Sequence, residues 1–453
     1  MNPLLESAAE RALRYLEGID ARPVAPDADA TGRLSELNEP LPETPLDPGR
    51  VLELLDTRCS PATMAMAGPR FFGFVIGGSL PVTLGANWLA AAWDQNTALH
   101  RVTPATAQLE RVALSWLLDL LGLPPESGGA FVTGATVANL SALAAARHAV
   151  YTRIGWDIEG HGMVGAPPVT VVIGAEAHPS VFKSLGLLGL GRNRVVRVPV
   201  DGQGRMRGDL LPDMSGPTIV CAQAGNVNTG AFDPFEEICA RAHESGAWVH
   251  VDGAFGLWAA AAPTRAELVR GVEEADSWAT DAHKWLNVPY DSGLAFVRDR
   301  EALRTAMAVT AEYLPTETDE RNPADYTPEL SRRARGVEVW AALKALGREG
   351  VADLVERTCR HARSFAAGLA VAGYEILNDV VLNQVLVSFG DAAVTEKVIA
   401  DIQRDGTCWC GGTVWQGRTA MRISVSSWAT TEEDVRVSLE AMLRCAARYR
   451  TPR

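Results

Sequence analysis

The chain has 453 residues, 47% of them apolar and 21% charged, close to the globular average, which sets aside disorder and collagen-like repeats. Lys plus Arg number 42 against 55 Asp plus Glu, a formal net charge of −13, and with no long basic run such a chain is a poor partner for nucleic acid or an anionic membrane. The length allows about two or three domains.

Met1–Gly18 sets Leu4, Leu5, Leu13 and Leu16 against Glu6, Glu10 and Glu17. That is the pattern of an amphipathic helix, not the basic-then-apolar order of a signal peptide. Positions 20–50 carry Pro23, Pro26, Pro40, Pro42, Pro45 and Pro48 and read as an extended arm. Apolar stretches such as Val112–Leu123 and Gly253–Pro263 fall short of the roughly 18 residues a membrane-spanning helix needs. The seven cysteines are an odd number without a CxxC pair, as expected of a cytoplasmic protein in a reducing compartment.

From about 130 to 300 short β-branched runs alternate with helical stretches. The runs are Val169–Ile173, Arg194–Val200, Thr218–Ala222, Ala247–Val251, Ser277–Thr280 and Gly293–Val297; the helices include Val137–Tyr151, Pro179–Leu190 and Pro234–Glu244. Strands apolar along nearly their whole length predict an α/β fold with a mostly parallel sheet covered on both faces. Beyond 335, helices at Gly336–Leu346 and Val351–Ala372 and strands at Val385–Phe389 and Ala420–Val425 predict a smaller α+β domain. The expected division is 1–84 for the N-terminal helix and arm, 85–335 for the large domain and 336–453 for the small one. In open α/β sheets ligands sit at the carboxyl ends of the strands, so the search for chemistry starts there.

Only four residues are lysines: Lys183, Lys284, Lys344 and Lys397. Lys344 and Lys397 lie among charges on helices, and Lys183 on a half-exposed one. Lys284 instead follows a strand directly, in Asp281-Ala282-His283-Lys284-Trp285, with apolar neighbours that favour an amine nucleophile. A loop lysine lying over apolar side chains is the plain alternative. The preceding strand ends in Asp252, which a helix N-cap would also explain. An amine and a carboxylate at neighbouring strand ends are what pyridoxal phosphate needs, one to hold the aldehyde and one to keep the pyridine nitrogen protonated.

A phosphate cradle is offered by the small-residue turn Gly128–Thr136 leading into the helix from Val137, where free amides and the Thr136 hydroxyl make an anion site. His178, after the strand ending at Ile173, is a ring platform or a satisfied loop histidine. HExxH and GxSxG are absent, so zinc-protease and serine-hydrolase readings have no support. Cys408-Trp409-Cys410 lacks the spacing of a zinc knuckle.

Together these segments resemble the group II pyridoxal-phosphate decarboxylases, the family of aromatic-L-amino-acid, glutamate and histidine-type decarboxylases. The likeness runs from the N-terminal helix through Pro69-Arg70-Phe71-Phe72-Gly73 and Thr133–Leu140 to His250-Val251-Asp252, His283-Lys284-Trp285-Leu286 and Met421-Arg422-Ile423-Ser424. It implies the pyridoxal-phosphate-dependent transferase fold of type I, as a homodimer with active sites at the interface. It also implies Lys284 as the lysine that holds the cofactor, Asp252 at the pyridinium, His178 on one ring face and Ala254 on the other. Ala135, Thr136 and His283 would hold the phosphate. Arg422 would lie near the substrate carboxylate, with His100 and Val75 on the substrate side and Asn96–Arg101 facing the partner's pocket. Pro315–Leu330 falls where the family carries a loop tyrosine that protonates the substrate carbon; Tyr326 is the match and Tyr313 the alternative.

The chain departs from the family in Asp281-Ala282, where Asn-Pro is common, and in Gly225-Asn226-Val227-Asn228-Thr229-Gly230, where Gly-Thr-Thr is usual. The first puts a carboxylate near a phosphate, so its side chain must turn away or be offset. The second leaves the hydrogen-bond partner of Asp252 open. The expected activity is α-decarboxylation of an L-amino acid to amine and carbon dioxide. The alternatives are transamination, decarboxylation coupled to oxidative deamination, carbon–carbon lyase chemistry, or a silent protein that keeps the fold for binding.

Overall fold

A strand that is apolar on both faces has to be covered on both, and the runs read from the sequence are mostly buried, except Val195–Val198, at one edge of the sheet. In a computed structural model, which describes residues 2–309 and 320–450, they form a seven-stranded sheet. Its strands are β1 (Gly128–Val132), β2 (Thr170–Gly174), β3 (Val195–Val198), β4 (Thr218–Gln223), β5 (Trp248–Asp252), β6 (Ser277–Asp281) and β7 (Gly293–Val297), in the order β1-β7-β6-β5-β4-β2-β3. The pairs from β3 through β6 are parallel, while β7 runs antiparallel to both β6 and β1. The fold is thus the α/β architecture expected.

Helices cover the sheet. Ala135–Thr152 packs on β5, β6 and β7. Phe235–Glu244 carries Glu236 and Glu237 in its first turn and Arg241 and His243 in its last, the order that complements the helix dipole. Four tryptophans, Trp248, Trp258, Trp278 and Trp285, are among the largest fully buried side chains and anchor the core around the central strands. A second sheet of four antiparallel-paired strands, β8 (Glu375–Ile376), β9 (Gln384–Ser388), β10 (Gly411–Trp415) and β11 (Arg418–Ser424), carries its own core against the helices Gly336–Val371, Ala392–Asp405 and Glu432–Ala447.

Two local expectations are corrected. Gly128–Val132, read as part of a turn, is a buried edge strand held by β7. The proline-rich arm is not wholly extended: Asp27 and Asp47 cap short helices at Ala28–Gly32 and Pro48–Leu54, as aspartate does at a free helix start. The two helices expected after 335 are present: Gly336–Val371 is interrupted by a kink at Gly347, whose φ is 59°. Among the described residues no helix is long and apolar enough to cross a membrane.

Candidate active site

Two adjacent parallel strands deliver the acids and the amine. β5 ends at Asp252, and β6, in register with it so that Asp252 faces Ala279, ends at Asp281. Asp252 is buried. Its Oδ1 accepts from the Ala254 amide at 3.2 Å and its Oδ2 from the Ser180 hydroxyl at 3.4 Å, so the partner left open by the missing Gly-Thr-Thr is a serine from another loop. The turn after β6 carries His283 and Lys284. Lys284 Nζ lies 2.9 Å from Asp281 Oδ2, while Asp281 Oδ1 accepts from the Ala135 amide at 2.5 Å. Asp281 therefore does not turn away; an ammonium and a helix N-terminus offset its charge.

His178 caps the helix Pro179–Leu187, its Nδ1 accepting from the Ser180 amide at 3.3 Å. The same nitrogen lies 2.8 Å from the Ser180 hydroxyl, which also reaches Asp252 and so ties the ring to the end of β5. Burial, opposed by the Asp252 charge, holds its pKa below the ordinary histidine value. His283 is lowered in the same way by burial. Its Nδ1 accepts from the Ser292 amide at 3.0 Å, which leaves the proton of the neutral ring on Nε2, 3.5 Å from Asp281 Oδ1. Tyr290 stacks on this ring with centroids 4.2 Å apart. Arg422 on β11 donates to the Val227 carbonyl at 3.1 Å, and burial pushes its guanidinium down to about 10.

The helix Ala135–Thr152 starts on Gly134, which supplies no side-chain cap; Asp281 takes the Ala135 amide, and the other first-turn amides have no partner within a helix. A Cβ on Gly134 would lie 3.1 Å from His283 Cε1, and one on Gly293 would lie 2.4 Å from Gly134 Cα. Only backbone fits this turn, which is how a chain brings amides close to an anion. An amine, a buried carboxylate, an imidazole N–H and a helix start therefore share the carboxyl end of the sheet, and this donor set fits pyridoxal phosphate.

Other candidates stand further off. Ala254 lies between the acids, its amide on Asp252 and its carbonyl accepting from the Asp281 amide at 2.9 Å. Thr136 is half-buried and its carbonyl accepts from Ser184 at 2.9 Å. Val75 is in the main core cluster, so it faces apolar neighbours. His100 lies 3.9 Å from Glu320 Oε2, and its amide donates to Asn322. Tyr326 packs on the small cluster around Ala130, Val132 and Ala138, with the Arg321 guanidinium 4.3 Å from its ring centroid. Within one chain neither His100 nor Tyr326 joins the Lys284 cluster. Tyr313 and positions 315–319 lie outside the described residues. Ser180 and Tyr290 were missed; the only signal was Ser180's place two residues after His178, at a helix start.

The pyridoxal-dependent decarboxylase conserved domain matches residues 32–390. The aromatic-L-amino-acid decarboxylase of Bacillus atrophaeus is 26% identical over 97% of this chain and 94% of its own. The L-2,4-diaminobutyrate decarboxylase of Rhizobium meliloti (strain 1021) is 29% identical over 81% of this chain and 76% of its own. Among solved structures, Oryza sativa TDC with PLP and tryptamine superposes with a TM-score of 0.90 at 22% identity, covering 98% of this chain and 97% of that one. With its conserved domain spanning most of the sequence and Lys284, Asp252 and His178 at the carboxyl ends of three strands of one sheet, the chain belongs to the pyridoxal-dependent decarboxylase family.

Proposed function

We propose that this enzyme removes the α-carboxylate of an L-amino acid, releasing carbon dioxide and the matching amine, with Lys284 and Asp252 as its central residues. The observation that carries the reading is that Asp252 at the end of β5, Lys284 in the turn after β6 and His178 after β2 share one end of the sheet, with Ser180 in hydrogen-bond reach of both His178 and Asp252. Pyridoxal phosphate, when bound, supplies a ring that draws electrons from the substrate's α-carbon. Lys284 is the amine that holds it. Asp252, fixed by two donors, keeps a positive charge at the ring nitrogen. His178 would cover one face of the ring and Ala254 the other, and the His283 Nε2–H with the Ala135 and Thr136 turn would hold the phosphate.

Arg422, a half-buried cation with a carbonyl partner, would take the substrate's carboxylate and orient the bond to be broken, so that geometry selects the reaction. His100 and Val75 complete the substrate side, and Tyr326, or Tyr313, returns a proton to the α-carbon. Because Tyr326 packs away from Lys284 within one chain, its part is played across a homodimer interface. The helix Pro81–Trp93, which leaves Trp88, Leu89 and Trp93 exposed, supports that assembly, with Asn96–Arg101 toward the partner's pocket. All seven cysteines are free thiols, in keeping with a cytoplasmic enzyme. We take 1–84 as arm, 85–335 as cofactor domain and 336–453 as small domain.

The test offers the cofactor-loaded enzyme each common L-amino acid and reads carbon dioxide and product mass together. Carbon dioxide with the amine is the expected result and names the substrate. Carbon dioxide with an aldehyde moves the reaction to oxidative deamination, and a keto acid without carbon dioxide overturns decarboxylation. Lys284→Ala is expected to abolish turnover and the covalent retention of cofactor through denaturation, read by mass spectrometry after borohydride reduction.

A further inference from the structure

A buried polar chain runs beneath the site. The indole N–H of Trp248 donates to Ser277 Oγ at 2.9 Å, and Ser277 Oγ lies 2.9 Å from His250 Nδ1. His250 Nε2 lies 2.9 Å from Asn139 Oδ1, and Asn139 Nδ2 reaches Ser180 Oγ at 3.5 Å. All five side chains are buried. The direction of every proton follows from what each atom can donate. Asn139 Oδ1 only accepts, so Nε2 carries the His250 proton. His250 Nδ1 then accepts the Ser277 hydroxyl, whose oxygen has taken the indole hydrogen. The Asn139 amide is thereby held with its NH2 toward Ser180.

Ser180 has one hydroxyl proton and two acceptors before it: His178 Nδ1 at 2.8 Å and Asp252 Oδ2 at 3.4 Å. Neutral His178 accepts on Nδ1 from the Ser180 amide, with the hydroxyl proton shared between that nitrogen and Asp252 Oδ2, and so carries its own proton on Nε2. If His178 is charged, Nδ1–H donates to Ser180 Oγ and the hydroxyl proton is left to Asp252 alone. The serine thus answers to both partners of the cofactor ring.

We propose that Ser180, oriented by Asn139 and His250, is a positioning residue that sets which nitrogen of His178 carries the proton and couples the protonation of His178 to Asp252. The proposal rests on the pyridoxal-phosphate reading above. Besides Asp252, His178 faces Lys284, Arg422 and Asp281, and these charges are left in place by a change at Ser180.

The experiment is a pH titration of the visible absorption of bound pyridoxal phosphate in wild type, Ser180→Ala, Ser180→Thr and Asn139→Ala, with the rate of cofactor release measured alongside. Losing a donor makes Asp252 hold the protonated cofactor more strongly, so the Ser180→Ala midpoint is expected to rise by about one pH unit. Ser180→Thr, which keeps the hydroxyl, returns toward wild type, and Asn139→Ala moves the midpoint the same way by less. A folded Ser180→Ala holoenzyme with wild-type midpoint and release rate overturns the proposal. Should that variant fail to fold, an unmoved midpoint in Asn139→Ala overturns it equally. A wild-type chain that takes up no pyridoxal phosphate instead overturns the reading beneath it, a result distinct from a loaded variant that titrates normally.

Discussion

A carboxylate at the end of a buried strand stays charged only if donors or a cation meet it. Asp252 has the Ala254 amide and the Ser180 hydroxyl, and Asp281 has the Lys284 ammonium and the Ala135 amide. The two acids are one strand apart and are solved differently: Asp252 is left able to face a cationic ring nitrogen, whereas Asp281 is already tied to the amine. Replacing Asp252 by Ala leaves a buried positive charge unpaired and should cost on the order of 3 kcal/mol or more in transition-state stabilisation. Steady-state kinetics check this as a fall of about two orders of magnitude in kcat/KM; a change of a few-fold would place the ring nitrogen elsewhere.

At the scale of elements, close backbone approach and buried polar groups decide what can change. The segment after Phe72 passes so near the Lys284 turn that a Cβ on Gly77 would sit 1.8 Å from the Lys284 carbonyl oxygen and 2.9 Å from the Asn287 side chain. Gly77→Ala is therefore expected to displace that turn, cost about 1–3 kcal/mol, and weaken cofactor retention; urea unfolding and equilibrium dialysis read the two effects. On β5, burial pushes His250 down to about 3 from its usual 6.5. The folded chain refuses a proton that the unfolded chain accepts, so stability is full above pH 6.5 and is lost as pH falls from 6.5 toward 3, at about 1.4 kcal/mol per unit. The urea midpoint of wild type should thus drop faster between pH 7 and pH 5 than that of His250→Gln, and parallel curves would refute the buried neutral histidine.

For the whole molecule, the loop after β4 joins the two sheets at the site. Arg422 donates to Val227, Thr413 to Asn228 and Asn378 to Thr229, while Trp415 donates to Glu176, two residues before His178. A second bracket is the ion pair of Arg332 with Glu110 at 2.7 Å, both side chains almost wholly buried, where losing either partner would leave an unpaired charge in the interior. The helix Pro81–Trp93 packs Ala86 and Ala90 against Ala334 and Val337 but leaves Trp88, Leu89 and Trp93 exposed. Trp93→Glu is expected to shift the protein toward a monomer, seen as a halved mass in sedimentation, with turnover lost alongside; an unshifted mass would move the interface elsewhere.

The sequence by itself determined the alternation of strands and helices, because an unbroken apolar run between turn residues leaves a parallel, doubly covered strand as the ready solution. It also placed Asp252, His178 and Lys284 at strand ends, since the topology of an α/β sheet makes those ends the ligand side. Where local signal is weak the reading failed: Gly128–Val132 has two glycines and an alanine, and only pairing with β7 makes it a strand. The capped turns at Ala28 and Pro48 were legible in Asp27 and Asp47-Pro48, but prolines around them masked the signal. Tertiary structure alone decided the fate of Asp281, the packing of Tyr326 against the cluster under Arg321, and the partners of Asp252. Ser180 stands 72 positions from Asp252 in the chain, and their hydrogen bond exists because a helix cap and a buried strand end are packed together. Spacing along a chain encodes local geometry, whereas a contact between distant loops depends on how the covered sheet positions them.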